Sequence, residues 1–182
     1  TSDRIEYITI STLGNATDFG NLTGSRKWGG AAASRTRGCW AGGAPAGDTI
    51  DYVTISSIGN AADFGDLTAT TEKDGLSTEI RGVFSGGYAS PSIKNIMEYI
   101  TIASTGNAVD FGDMTTIRAS QGQCGGASST RGLWAGGQRD PAANNTIDYI
   151  TVASTGNALD FGDLFTGQQI NGYGGATTSI KM

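Results

Sequence analysis

The chain has 182 residues, of which 29 are glycine and 16% are charged, and its formal net charge is −5. This acidic balance argues against a nucleic-acid partner held by phosphate contacts and against anionic membranes. No run of 18 apolar residues occurs, so no membrane insertion is expected. The length fits one domain or one compact repeat array, and the Gly-, Ser- and Thr-rich composition favours tightly turned strands over long helices.

The first predicted strand is a β-branched segment around a tyrosine, and it occurs four times. Its tyrosines are Tyr7, Tyr52, Tyr99 and Tyr149, which are 45, 47 and 50 residues apart. Seven residues after each tyrosine comes Gly-Asn-Ala, which begins at Gly14, Gly59, Gly106 and Gly156. Such a period is typical of an array in which each repeat is one supersecondary unit.

The next predicted strand contains Asp-Phe-Gly, four residues after each of those glycines. Its aspartates are Asp18, Asp63, Asp110 and Asp160. The constant spacing predicts a rigid hairpin, because one inserted residue would turn the side chains to the wrong face. We expect Asp-Phe-Gly to be a strand-end turn, with Phe in the core and Gly in a special backbone conformation. The aspartates would cap an Asx-type turn or pair with repeated arginines; Ca²⁺, which needs roughly six to eight oxygen ligands, is a weaker alternative.

The third repeated element is an Arg-Gly-X-aromatic strand that leads to Gly-Gly. Its arginines are Arg37, Arg81 and Arg131. Its distance from the neighbouring elements varies, which indicates loops that tolerate insertions. Cys39 occupies the position of Val83 and Leu133, so we expect a small buried hydrophobe more than one half of a disulfide with Cys124. A fourth, weaker strand is predicted in the small-residue stretch from Gly125 to Thr130.

Four short antiparallel strands in 45–50 residues is the size of one propeller blade. The predicted fold class is therefore all-β, a propeller of four blades in a single repeat domain over residues 1–182, with units at approximately 1–49, 50–95, 96–145 and 146–182. Residues 174–182 align with the small-residue strand, so we expect them to complete the N-terminal blade and close the ring. The alternative is an arc that needs further blades or another subunit.

The double glycines Gly42-Gly43, Gly86-Gly87 and Gly136-Gly137, each followed by a tyrosine strand, resemble the kelch repeat. Phenylalanine stands where kelch repeats usually have tryptophan. The sequence motifs Thr-Ile-Asp-Tyr-Ile-Thr, Gly-Asn-Ala and Asp-Phe-Gly-Asp-Leu are similar to repeats in tail-fibre-like and other virion proteins of marine phages. These resemblances imply a protein-binding propeller on a virion or another extracellular surface.

Enzymatic activity is not expected, and neither is a catalytic site, a metal site or a cofactor. The chain contains no histidine, which is the most common general base and zinc ligand. Two carboxylates could hydrolyse glycosides, but every candidate pair recurs in each repeat, whereas a catalytic pair should break the repeat. A carbohydrate-active enzyme is therefore the weakest alternative.

Ligand specificity is expected in the segments that do not repeat, which are the loops after Gly-Gly at 44–48, 88–94 and 138–145 and the stretches after Asp-Phe-Gly. The candidate ligand-binding residues in these segments are Trp28, Tyr88, Arg139, Asp140 and Tyr173. Exposed aromatic rings among polar groups often grip sugars or proteins; the alternative is that each ring covers a sheet edge.

The expected function is a non-enzymatic structural or receptor-binding module. Its expected partners are a host glycan or protein, other virion proteins or further copies of itself. A free lectin or protein-interaction propeller is the alternative.

Overall fold

The computed structural model describes residues 1–45, 47–69, 72–89, 91–139 and 142–168. This part of the chain consists of antiparallel β-strands and turns and contains no helix, which confirms the all-β class. Consequently the described residues include no helix that is long and apolar enough to cross a membrane. The strands form three four-stranded sheets, an N-terminal hairpin and a small two-stranded ribbon.

Each four-stranded sheet runs from an inner small-residue strand to an outer Asp-Phe-Gly strand. The N-terminal hairpin is β1 (Ser2–Tyr7) and β2 (Thr17–Arg26). Sheet I is β3 (Gly30–Ala33), β4 (Arg37–Ala41), β5 (Thr49–Thr54) and β6 (Ala62–Asp66). Sheet II is β7 (Asp74–Ser77), β8 (Arg81–Ser85), β11 (Ile96–Thr101) and β12 (Val109–Asp113), and the ribbon is β9 (Tyr88–Ala89) and β10 (Ser92–Ile93). Sheet III is β13 (Ala119–Ala127), β14 (Arg131–Arg139), β15 (Ala142–Thr151) and β16 (Leu159–Gln168).

The strand types predicted from the repeats are confirmed. The Arg-Gly segments form the second strand of each sheet, the tyrosine segments the third and the Asp-Phe-Gly segments the fourth. Each sheet therefore combines two strands from one sequence unit with two from the next. The small-residue strand differs from its predicted bounds: β13 ends at Ala127, and the backbone N–H of Ser128 turns back to donate to the Arg131 carbonyl at 2.8 Å.

Asp-Phe-Gly is a β-bulge within the outer strand, which corrects the predicted turn at a strand end. In sheet I, Gly65 pairs with Ile50, and the register shifts beside it so that Phe64 is the extra residue. Phe64 is 3% exposed, and its ring meets Tyr52 edge-on at 5.7 Å. Gly65 has a φ of 145°, which a residue with a Cβ atom rarely adopts. The core position of the phenylalanine and the special glycine conformation are confirmed in this sheet.

Neighbouring sheets are joined where a Gly-Asn-Ala loop docks on the preceding Asp-Phe-Gly strand, and we call this contact a junction. The loop at 59–61 docks on β2, the loop at 106–108 on β6 and the loop at 156–158 on β12. The same connector is therefore formed three times along the chain.

Each junction contains two backbone hydrogen bonds and one side-chain hydrogen bond. Between sheets I and II, the N–H of Gly106 donates to the Phe64 carbonyl and the N–H of Ala108 donates to the Asp66 carbonyl, both at 2.8 Å. The N–H of Asp66 in turn donates to Oδ1 of Asn107 at 3.1 Å. The Gly-Asn-Ala loop thus satisfies the backbone groups of an outer strand that would otherwise be an open edge.

A compact apolar core fills the space behind each junction. The core between sheets I and II contains Cys39, Ile50, Phe64, Leu67, Phe84, Ile100, Ile102 and Ala108. The matching core between sheets II and III includes Val83, Met97, Phe111, Met114, Trp134, Ile150, Val152 and Ala158. Since these residues occupy the same repeat positions, each sheet is stabilised mainly through its neighbours.

The inner strands β3, β7 and β13 together line one cavity of about 330 Å³. Small residues allow the strands to approach each other closely. A Cβ atom on Gly30 would lie 3.0 Å from the carbonyl carbon of Asp74, and one on Gly125 would lie 3.1 Å from the carbonyl oxygen of Gly75. The three sheets therefore converge on a common centre.

Candidate functional site

Several of the non-repeating segments meet on one surface of the molecule. Lys27, which follows the first Asp-Phe-Gly, exchanges two backbone hydrogen bonds with Ala44 of the first variable loop, at 3.0 and 2.9 Å. In the next repeats, the N–H of Gly87 donates to the Arg118 carbonyl at 3.1 Å. Each stretch after an Asp-Phe-Gly is thus held to a variable loop by backbone hydrogen bonds. We call the solvent-accessible part of these segments the variable surface; its described residues are 27–29, 44–45, 88 and 94.

Trp28 and Tyr88, both predicted ligand-binding residues, lie on either side of the same two-residue segment. The N–H of Lys73 donates to the Trp28 carbonyl at 3.2 Å, and the N–H of Glu72 donates to the Tyr88 carbonyl at 3.5 Å. The structure therefore places the two aromatic residues on the same surface although they are distant in the sequence.

The side chains of these two residues differ in how they are held. Trp28 is half-buried, and the ammonium of Lys27 lies 3.8 Å from the centroid of its ring, which is a cation–π distance. Its φ of 62° is unusual for a bulky residue, and strain of this kind concentrates at functional sites. Tyr88 is 43% exposed at the start of the β9–β10 ribbon. The Trp28 ring therefore has a local contact with Lys27, and the Tyr88 side chain is open to solvent.

The other three predicted ligand-binding residues are Arg139, Asp140 and Tyr173, and the structure describes only the first of them. Arg139 ends β14, where its backbone pairs with Ala142. Asp140 and Tyr173 lie outside the described residues, as do the C-terminal residues expected to close the ring.

Beneath the variable surface lies a layer of buried ion pairs that the sequence analysis missed. Nη2 of Arg118 lies 2.6 Å from Oδ2 of Asp148, and both side chains are fully buried. Nζ of Lys73 lies 2.9 Å from Oε2 of Glu98, again without exposure of either side chain. Arg26 contacts Asp51 in the same way. In each pair the cation follows one Asp-Phe-Gly strand, and the acid precedes the tyrosine of the next unit.

Further polar groups complete each pair. The hydroxyl of Thr115 donates to Asp148, and Nη1 of Arg118 donates to the carbonyls of Gly136 at 3.1 Å and Thr146 at 3.3 Å. Burial lowers the pKa of Arg118, an effect that the charge of Asp148 partly offsets. Because the acids are sealed inside the fold with these partners, they cannot reach a substrate at the surface.

A repeated signal for this layer is present in the sequence. The residue before each tyrosine is acidic, as Glu6, Asp51, Glu98 and Asp148, and in each strand an apolar residue precedes the acid. The cations lie eight residues after Asp18 and Asp110 but ten after Asp63, so a constant-spacing comparison does not align them.

Two of the four repeated aspartates, Asp63 and Asp160, form local turns, in agreement with one of the two expectations for them. Oδ1 of Asp63 accepts from the N–H of Gly65 at 3.2 Å, and Asp160 does the same with Gly162 at 2.9 Å. Within the described part of the chain, no group of three or more acidic or sulfur side chains is placed to hold a metal ion.

The repeated arginines do not pair with these aspartates, which corrects the other expectation. The guanidinium of Arg37 lies 4.5 Å from the ring centroid of Tyr52, and its Nη1 donates to the Ile102 carbonyl at 2.9 Å. Arg81 lies over Tyr99 in the same way and donates to the Val152 carbonyl at 3.0 Å. The arginines therefore fasten one sheet to the next.

Two buried titratable groups lie near the inner strands. Cys39 is a free thiol at 1% exposure, and burial raises its pKa to about 11, which confirms the predicted buried hydrophobe. Burial also raises the pKa of Asp74 to about 7, although the N–H of Gly75 donates to its Oδ1. Oδ2 of Asp74 and Nε1 of Trp134 are buried without a hydrogen-bond partner among the described residues.

Comparison with known proteins finds no match: no protein-family model matches the chain, and no curated protein has a matching sequence.

Proposed function

We propose that the chain is a non-enzymatic binding module that recognises a glycan or a protein through its variable surface. The observation that carries this proposal is the backbone pairing that holds several non-repeating segments together above the repeated layer of buried ion pairs. Trp28, which lies against the ammonium of Lys27, and the exposed Tyr88 belong to those segments. Aromatic rings next to polar groups supply apolar area and hydrogen bonding at a recognition site.

A panel of immobilised glycans and candidate host-surface proteins, probed with the labelled chain, tests this proposal. For a glycan or protein that binds, Trp28→Ala and Tyr88→Ala should each weaken binding by roughly tenfold or more, as expected for aromatic anchors. Ile58→Ala is the matched control, because Ile58 is 65% exposed in the loop at the opposite end of sheet I. Equal binding by all four proteins, the unchanged chain included, would contradict the proposal.

The architecture proposed for this module is a small kelch-like β-propeller in which the sheets are blades. Support comes from the common cavity at the inner strands and from the identical junctions between successive sheets. Sheets I to III would be three successive blades, and the N-terminal hairpin would supply the outer strands of a fourth blade. Solution scattering of dilute protein that gives a flat particle would agree with this arrangement, and an elongated particle would not.

The proposed location is a virion surface or another extracellular surface. The similarity of the repeated sequence motifs to those of phage virion proteins supports it. Mass spectrometry of purified virions tests the location, since a structural component should be recovered in stoichiometric amounts after washing.

A further inference from the structure

The two ends of the sheet array carry the two unmatched halves of a fourth junction. The Gly-Asn-Ala loop at 14–16 repeats the docking loops, and Phe161-Gly162-Asp163 in β16 repeats the strand on which they dock. No described residue lies within 4 Å of a Cβ atom built on Gly162, whereas at the formed junction a Cβ on Gly112 would lie 2.5 Å from the carbonyl oxygen of Gly156. The N–H groups of Gly106 and Gly156 donate to the strands on which they dock, but the N–H of Gly14 has no such acceptor among the described residues. Both halves are therefore present, and no described residue occupies either of them.

Apolar side chains at the outer strand of sheet III are exposed or half-buried, whereas their counterparts in sheets I and II are buried. Phe161 is 55% exposed, whereas its counterparts Phe64 and Phe111 are 3% and 2% exposed. Ile147 and Leu164 are half-buried, although the side chains at the same positions in sheet I are buried. We call Ile147, Phe161 and Leu164 the acceptor face. Their counterparts in sheet I belong to the apolar core behind a formed junction.

The N-terminal hairpin, which carries the loop at 14–16, shows the complementary pattern. Ile8 is 62% exposed and Ile10 is 95% exposed, whereas their counterparts Ile100 and Ile102 are 2% and 0% exposed. Ala16 is exposed as well, although the matching alanine of the second junction is buried. We call Ile8, Ile10 and Ala16 the donor face. It exposes the apolar side chains whose counterparts pack against the outer strand in a formed junction.

The charged groups at the two open ends differ from those of the formed junctions. Phe165 stands where the other three Asp-Phe-Gly strands are followed by threonine, and Gln168 stands where two of them are followed by arginine, so the described part of sheet III offers no cation to the next acid. That acid is Glu6, and Arg4 of the same strand lies 3.7 Å from it. The N-terminal hairpin therefore carries its own counter-charge into the contact.

We propose that the Gly-Asn-Ala loop of one copy of this chain docks on β16 of a second copy, forming the fourth junction between molecules. A second copy is the occupant because the two faces are complementary and because, among the described residues of one chain, the loop at 14–16 makes no backbone hydrogen bond to β16. The contact is head to tail, so repetition produces a ring if the rotation closes and a filament if it does not. This inference goes beyond the ligand proposed above and rests on the junctions alone.

Light scattering across protein concentration tests the proposal with two blocking variants. Ala16→Arg places a large charged side chain on an exposed site of the donor loop and leaves β16 intact. Phe161→Arg does the same to the acceptor face and leaves the loop intact; Leu164→Arg is a second acceptor variant in case Phe161→Arg does not fold. Thermal melting establishes that each variant is folded.

We expect the mass of the unchanged chain to rise from 18.6 kDa to at least twice that value between about 1 µM and about 1 mM, a range typical of weak specific association. Each variant alone should remain at 18.6 kDa, and an equimolar mixture should form a one-to-one pair, since it contains one intact loop and one intact strand. A constant mass for the unchanged chain would overturn the proposal, and so would a mixture that does not pair. A monomer whose melting temperature falls with Ala16→Arg would instead indicate that the loop docks on its own β16, which also overturns it.

Discussion

Gly112 and Gly156 approach each other so closely that a Cβ atom on Gly112 would lie 2.5 Å from the carbonyl oxygen of Gly156. The N–H of Gly156 at the same time donates to the Phe111 carbonyl at 2.7 Å. Backbone contact at this distance leaves no space for a side chain. The relationship recurs between Gly65 and Gly106, so the glycine of Asp-Phe-Gly is needed for sheet-to-sheet contact as well as for its own conformation.

Gly112→Ala should therefore destabilise the protein more than Gly162→Ala. Both glycines have similar positive φ angles, 134° and 143°, so the conformational strain of an alanine is matched. Among the described residues, a Cβ atom on Gly112 has a close backbone neighbour and one on Gly162 has none, so we expect an additional loss of about 2 kcal/mol or more at Gly112 from overpacking. Chemical denaturation of dilute protein measures the difference. Equal losses at the two sites would contradict the junction geometry.

Breaking the buried pair of Arg118 and Asp148 should cost more than replacing it. Asp148→Leu alone leaves a buried guanidinium without its counter-charge, and we expect a loss of about 3–5 kcal/mol. The double variant Arg118→Met, Asp148→Leu should recover much of this loss, since buried ion pairs are often replaceable by apolar side chains. Urea unfolding of the single and double variants provides the double-mutant cycle. Additive losses would indicate that the two groups do not depend on each other.

Asp74 should make the protein less stable as the pH rises from about 4 towards 7. Its pKa is raised from the ordinary 3.8 to about 7, so the folded state retains a proton that the unfolded state has already released. Asp74→Asn, which keeps an acceptor for Gly75 but cannot ionise, should melt at a higher temperature than the unchanged chain at pH 8. The two proteins should differ little at pH 4. A difference in melting temperature that does not vary with pH would contradict the assignment.

Arg81→Ala should destabilise the protein more than Arg131→Ala. Both guanidiniums lie over a tyrosine ring, at 4.5 and 5.0 Å. Arg81 also donates to the Val152 carbonyl of the next sheet, whereas Arg131 has no carbonyl acceptor in the part of the chain that the structure describes. The extra hydrogen bond predicts a difference of about 1–3 kcal/mol in the free energy of unfolding. Thermal denaturation of the two variants at low protein concentration measures it.

The strands and hairpins could be predicted from the sequence because residue types and spacing within one repeat determine them. The β-branched residues around Tyr52 and the constant distance to Phe64 determine a hairpin, and its phenylalanine had to face a core. The position of Cys39 among Val83 and Leu133 likewise predicted its burial. These properties depend on side-chain alternation within one unit.

The relationships between units were harder to predict. The constant spacing around Gly-Asn-Ala predicted a hairpin, but the hydrogen bond of Asn107 to the neighbouring strand depends on how two sheets pack. The acids Glu98 and Asp148 lie in strands where burial of a charge is unfavourable without a partner, and their partners come from variable segments. Repeat spacing alone contains no information about either contact.

Hydrogen exchange of the Gly-Asn-Ala amides tests the repeated junction most directly. The N–H groups of Gly106 and Gly156 belong to exposed loops but donate to Phe64 and Phe111, whereas Gly14 has no such acceptor among the described residues. In dilute solution, where the chain is monomeric, Gly106 and Gly156 should exchange more slowly than Gly14 by at least about tenfold. Exchange of all three amides at the same fast rate would contradict the junctions on which this account of the fold depends.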